Sequence, residues 1–165
     1  MARLRVGTCS WKYPSWAGLV YSRPDGIDYL AEYARKYSTV EVDQWFWTLA
    51  PSPADVERYR AAVPGEFRFT VKAPNALTLV HAPGKKGAEP VPNPRFLSTA
   101  ALGSFLAGLE PLRPQVGAVM FQFGYLNRKM VASQPAFLEA LDRFLGEAPA
   151  GRPYAVELRN ASWLD

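Results

Sequence analysis

Cysteine is almost absent. The single Cys9 in 165 residues excludes an intramolecular disulfide framework and fits a reducing compartment. With no histidine beside it to lower its pKa, Cys9 reads as a small buried side chain at a strand end rather than a nucleophile. Histidine is equally scarce. His81 alone, without cysteine clusters, excludes a multi-zinc site built from this chain, and no Ser-His-Asp arrangement is apparent. Long apolar runs are missing as well. The longest, 116–123, is interrupted by Gln122 and is too short to span a bilayer, while Met1-Ala2-Arg3-Leu4-Arg5-Val6 lacks the apolar core of a signal peptide. A soluble cytoplasmic protein is therefore expected. No internal repeat, P-loop or dinucleotide fingerprint is present.

What remains is enough for one domain over residues 1–165. About half the residues are apolar and the formal charge is +4, which permits a sizeable core and favours anionic ligands over cationic ones. Alternation locates the strands. Segments 4–8, 39–42, 67–72, 116–122 and 154–158 read as strands, and 28–37, 52–62, 97–109 and 135–145 read as helices. Ser52, followed by Pro53 and then Asp55, has the character of an N-cap leading into a first turn. Between 73 and 95 the composition shifts to Pro, Gly and basic residues, as in a lid or binding loop.

Side chains along a strand alternate between faces. Glu41 and Asp43 therefore share one face of their strand, Arg68, Thr70 and Lys72 one face of theirs, and Glu157 and Arg159 one face of theirs. Parallel strands covered on both sides should be apolar at nearly every position. Here only one parity is apolar, so something polar must occupy the other side. An open doubly wound sheet and a βα barrel both fit five alternations of strand and helix. Polar groups at successive strand ends favour the barrel, whose pocket lies on the axis at the carboxyl end.

The motif Gly7-Thr8-Cys9-Ser10-Trp11-Lys12-Tyr13-Pro14-Ser15-Trp16-Ala17-Gly18 resembles the opening of the YecE-like proteins, domain of unknown function family 72. So do Thr39-Val40-Glu41-Val42-Asp43, Phe46-Trp47, Lys72-Ala73-Pro74, Phe121-Gln122 and Glu157-Leu158-Arg159-Asn160-Ala161-Ser162-Trp163, in the family's order. The resemblance implies an α/β fold, a TIM-like βα barrel, of which about five βα units are present: the N-terminal part of an incomplete barrel. It implies no settled activity. Asp43 stands where the family usually has Asn, and Gln44 and Trp45 where it has small polar residues. The family commonly places a Thr-His pair after the Lys-Ala-Pro motif; here Thr78 is followed by Leu79.

Two readings of the charged groups compete. In the first they form a structural network, with Lys72 paired to Glu41 or Glu157 and Arg159 held by Asp43. In the second, Glu41, Lys72 and Glu157 carry acid–base or electrostatic chemistry, while Trp11, Tyr13, Asp43, Gln122, Arg159 and Trp163 bind ligand. Phe46 and Trp163 also read as rings roofing the core. Trp11, Tyr13, Trp16, Trp45, Trp47 and Trp163 give flat faces for a sugar or base, and Arg159, Lys85 and Lys86 are cations that can meet phosphate. The expected ligand is a polar, anionic small molecule, a sugar phosphate or nucleotide, with hydrolase, isomerase or lyase chemistry as the enzymatic options. Oxygen donors suit Mg²⁺ or Mn²⁺, though no cofactor is specified. The alternatives are a nucleic acid interaction module using the aromatic-basic rim, and an inactive truncated barrel. No membrane partner is expected. Self-association, or a second polypeptide completing the barrel, is expected from two unpaired sheet edges.

Overall fold

The computed structural model describes residues 4–85 and 87–163. Among these, four strands form one parallel sheet in the order β1 (Thr39–Val42), β2 (Arg68–Lys72), β3 (Val116–Phe123) and β4 (Tyr154–Leu158). Helices α1 (Tyr29–Tyr33), α2 (Pro53–Ala62), α3 (Thr99–Gly108) and α4 (Gln134–Glu147) alternate with them. The fold is α/β.

Side-chain caps start the helices where the sequence places them. Asp28 accepts from the Leu30 and Ala31 amides, Ser52 from Asp55, Ser98 from Ala101 and Ser133 from Ala136. Each satisfies amide donors that have no partner within their own helix. Helix α1 is shorter than its apolar spacing suggests, because its end tightens: Arg35 N donates to Glu32 O and Lys36 N to Tyr33 O.

Segment 4–8 forms no strand. It lies beside β1 and contributes one backbone bond, from Glu41 N to Thr8 O at 3.0 Å. Thr8 N donates instead to the Tyr33 hydroxyl, at 2.9 Å, and that hydroxyl donates onward to Thr39 O at 3.1 Å. A side chain from α1 thus replaces the ladder that would have made a fifth strand. Close approach depends on Gly7, where a Cβ would lie 1.9 Å from Thr39 O. Gly7→Ala is expected to cost about 1–3 kcal/mol through overpacking against backbone, read by urea unfolding. The matched change Gly146→Ala, in α4 with open space around it, should be neutral or slightly stabilising.

Register settles which side chains share a face. Glu41 pairs with Thr70, Lys72 with Met120 and Gln122 with Glu157. An irregularity between Phe69 and Thr70 sets Phe69 against Val116 but Thr70 against Ala118. The extra residue, Gly117, is a bulge that turns Ala118, Met120 and Gln122 onto the Glu41–Lys72 side. Val40, Val42, Phe69, Val71, Val119, Phe121 and Phe123 occupy the other side and are buried. That side packs on helices: Phe121 meets Phe144 at 5.2 Å, Phe123 meets Phe137 at 5.1 Å, and Phe69 meets Tyr59 at 6.3 Å between ring centres. The polar face is half-buried apart from Lys72, which is buried.

Candidate functional site

Two polar clusters stand on that face. At the carboxyl ends of β1 and β2, Lys72 Nζ lies 3.0 Å from Glu41 Oε1 and 2.7 Å from Asp43 Oδ1, with the Phe46 ring 5.7 Å from the ammonium. Lys72 is 8% exposed. At the ends of β3 and β4, Gln122 Nε2 donates to Glu157 Oε2 at 2.7 Å and Arg159 Nε to Glu157 Oε1 at 3.3 Å. The Lys72–Glu41 pair is as expected, whereas Asp43 pairs with Lys72 rather than with Arg159, and Arg159 pairs with Glu157. Strand order decides this: Asp43 follows the strand next to Lys72, whereas Arg159 follows the strand that carries Glu157. Lys72 and Glu157 lie on one face but two strands apart, about 10 Å at the usual strand spacing.

Burial alone would depress the Lys72 pKa, but hydrogen bonds to Asp43 and Glu41 override it and hold the ammonium above its ordinary value. Burial pushes the Glu41 carboxyl up, and the neighbouring Asp43 adds to this against the pull of Lys72. Two carboxylates share one ammonium, and burial disfavours the charged form of Glu41. Lys72 also fills the position between Glu41 and Asp43 that a cation would take. Among the described residues, no group of three His, Cys, Asp or Glu side chains is placed to hold a metal ion.

The raised Glu41 pKa has a sign that can be checked. Between the ordinary value of 4.5 and the folded value, the native state binds more protons than the unfolded chain, so this group's contribution to stability falls as pH rises through that window. Unfolding free energies measured across it should show Glu41→Gln gaining on the wild type as pH rises. Parallel curves would contradict the assignment.

Beside the first cluster opens a cleft of about 660 Å³, between α1 and α2 and the loop after residue 8, lined by Trp11, Lys12, Asp28, Asp43, Arg58 and Tyr59 among others. Its walls are braced. Trp11 sets its edge on Tyr59 at 5.1 Å, the Arg58 guanidinium lies 5.4 Å from the Tyr59 ring centre, and Gln44 is held by Asp55 and by the Tyr59 hydroxyl. A second groove, about 470 Å³, lies at the opposite end, near Leu4, Arg35, Lys36, Pro64 and Phe67.

The aromatics divide. Trp11 lines the cleft, and Tyr13 packs on Trp16 at 4.6 Å. Trp45 is buried with its indole N–H unpartnered, whereas Trp47 is 78% exposed. Trp163 lies 5.5 Å from Phe137 of α4. Phe46 is half-buried beneath Lys72. Cys9 is exposed, not buried, because the segment before it forms no strand. His81 bridges Pro92 within the 73–95 connection. Lys85 is exposed, and Lys86 lies outside the described residues.

Sequence reasoning missed Asn160, which is 3% exposed. It accepts from Leu126 N and donates to Leu126 O, both at 2.8 Å, fastening the loop after β4 to the loop after β3. Its place directly after Arg159 was the available signal.

The family model described as "Protein of unknown function DUF72" matches residues 5–165. The chain belongs to the DUF72 family. Two crystal structures of a DUF72 family protein from Enterococcus faecalis V583 resemble it. One has a TM-score of 0.62 and 23% identity, over 96% of this chain and 51% of that one. The other has a TM-score of 0.54 and 25% identity, over 82% and 49%. This DUF72 chain thus spans about half the length of the solved chains it matches. No curated protein matches it. Among its described residues, no helix is long and apolar enough to cross a membrane.

Proposed function

We propose that this DUF72 chain contributes part of a TIM-like βα barrel that binds a polar, anionic small molecule, a sugar phosphate or nucleotide, at the carboxyl ends of its strands. Monotonic strand order supports the barrel. Doubly wound sheets reverse their order part-way, whereas β1 to β4 follow one another in sequence and all parallel. The observation that carries the binding reading is the pair of polar clusters, Glu41–Asp43–Lys72 and Gln122–Glu157, at the strand ends of one face, the first beside a cleft of small-molecule size. In an enzymatic version, Glu41 transfers the proton, Lys72 stabilises developing negative charge, and Glu157 serves as a second carboxylate. Hydrolase, isomerase and lyase reactions all use such sets.

Thermal-shift titration with ribose 5-phosphate, glucose 6-phosphate and AMP tests this. At least one should stabilise the wild type at physiological salt, and Glu157→Gln should weaken the effect. No stabilisation by any of them would contradict the proposal. One observation favours nucleic acid as a second reading: Trp47, after β1, and Tyr125, after β3, are 78% and 68% exposed at the same end of the sheet, where bases can stack. Oligonucleotide affinity that falls steeply with added salt supports that alternative.

A further inference from the structure

Cations near the strand ends are not equally free to meet an anion. Lys72 is held by two carboxylates and Arg159 by Glu157, so a phosphate approaching either must displace a carboxylate and be repelled by it. The side cleft, which Asp28 and Asp43 also line, differs in carrying one cation that no carboxylate holds among the described residues. Lys12 is exposed on its wall and makes no ion pair or side-chain hydrogen bond among the described residues. Arg58, which also lines the cleft, bonds Asp55 through Nη2 at 2.6 Å, which leaves other guanidinium N–H groups able to donate, and its plane is steadied by the Tyr59 ring. Trp11, Leu30 and Ala62 add apolar surface to its lining. Asp43 also lines the cleft and touches Lys72, which does not line it, at 2.7 Å.

We infer that the ligand is a phosphomonoester of a ring compound, held with its phosphate between Lys12 and Arg58, its ring against Trp11 and its unphosphorylated end at Asp43 and Lys72. This rests on the binding reading above and adds a direction to it. Guanidinium and ammonium donors match phosphate oxygens. A flat or sugar ring suits an indole wall, and an acceptor-only carboxylate such as Asp43 suits hydroxyl or amino donors. The orientation places the phosphoester bond away from the Glu41–Lys72 pair. Chemistry at the pair therefore falls on the ring's far end, and the phosphate serves as a handle.

The test compares AMP with adenosine, and ribose 5-phosphate with ribose, by calorimetric titration on the wild type, Lys12→Ala, Arg58→Ala and Glu157→Gln. The wild type should bind the phosphorylated member of a pair at least about tenfold more tightly, on the order of one charge-assisted hydrogen bond. Lys12→Ala should remove most of that preference while leaving the unphosphorylated member's affinity and the melting temperature unchanged, and Arg58→Ala should remove most of it with at most a small loss of stability from its Asp55 and Tyr59 contacts. If phosphorylated probes bind, weaken in Glu157→Gln and are indifferent to Lys12 and Arg58, the phosphate placement is overturned while the carboxyl-end site stands. Binding of none of the four probes to the wild type would overturn both.

Discussion

Lys72→Met is expected to destabilise the chain by about 3 kcal/mol, the lower end of what breaking a buried ion pair costs. Among the described residues, the ammonium is the only cation within bonding distance of both Glu41 and Asp43, and its own side chain is 11% exposed. Methionine keeps the length and removes the charge. Glu41, whose side chain is 23% exposed, would then stand beside a second carboxylate with no counter-charge, and must take up a proton or draw in water. Asp43 is half exposed and relaxes more easily, which is why the lower end of the range applies. Adding Glu41→Gln to Lys72→Met should recover a large part of the loss, because it removes the stranded charge. Urea unfolding of the three variants checks this. A loss below about 1 kcal/mol for Lys72→Met would mean that the trio is hydrated and does not build the site.

Asn160→Ala is expected to cost about 2–4 kcal/mol. The side chain serves both the amide and the carbonyl of Leu126, and each buried backbone group left without a partner costs roughly 1–3 kcal/mol. The effect should also be local, loosening the two loops that follow β3 and β4, while strand pairing keeps the spacing of Gln122 and Glu157. Hydrogen exchange at the Leu126 amide reads the break directly. Fast exchange in the variant is expected. Protection at wild-type level with a loss under about 1 kcal/mol would show that other groups hold the loops together.

Much of the fold was legible because it is written locally. Ser52, Pro53 and Asp55 mark a helix start whose chemistry depends only on neighbours, and parity along 39–42, 68–72 and 154–158 separated the polar face from the apolar one. Segment 4–8 was misread for a reason that lies elsewhere in the chain. It has strand-like residues, but the Tyr33 hydroxyl, 25 positions on, takes the Thr8 amide. Ion pairing was legible in part: parity puts Lys72 and Glu41 on one side, and they do pair, but it does not show which strands are adjacent, and Arg159 pairs with Glu157 rather than with the expected Asp43. The cleft was the least visible feature. Lys12, Asp28 and Arg58 come from three elements, and no spacing in the sequence brings them together. Asn160 likewise acts across 34 positions, so nothing near it reveals what it fastens.

Backbone amide shift mapping during a ribose 5-phosphate titration tests the central claim most directly. Perturbations should gather at 10–12, 41–44, 72–73, 122–124 and 157–160, the carboxyl-end face and its side cleft. Perturbations gathered instead at 35–38 and 64–67, around the groove at the amino-terminal end, would contradict it.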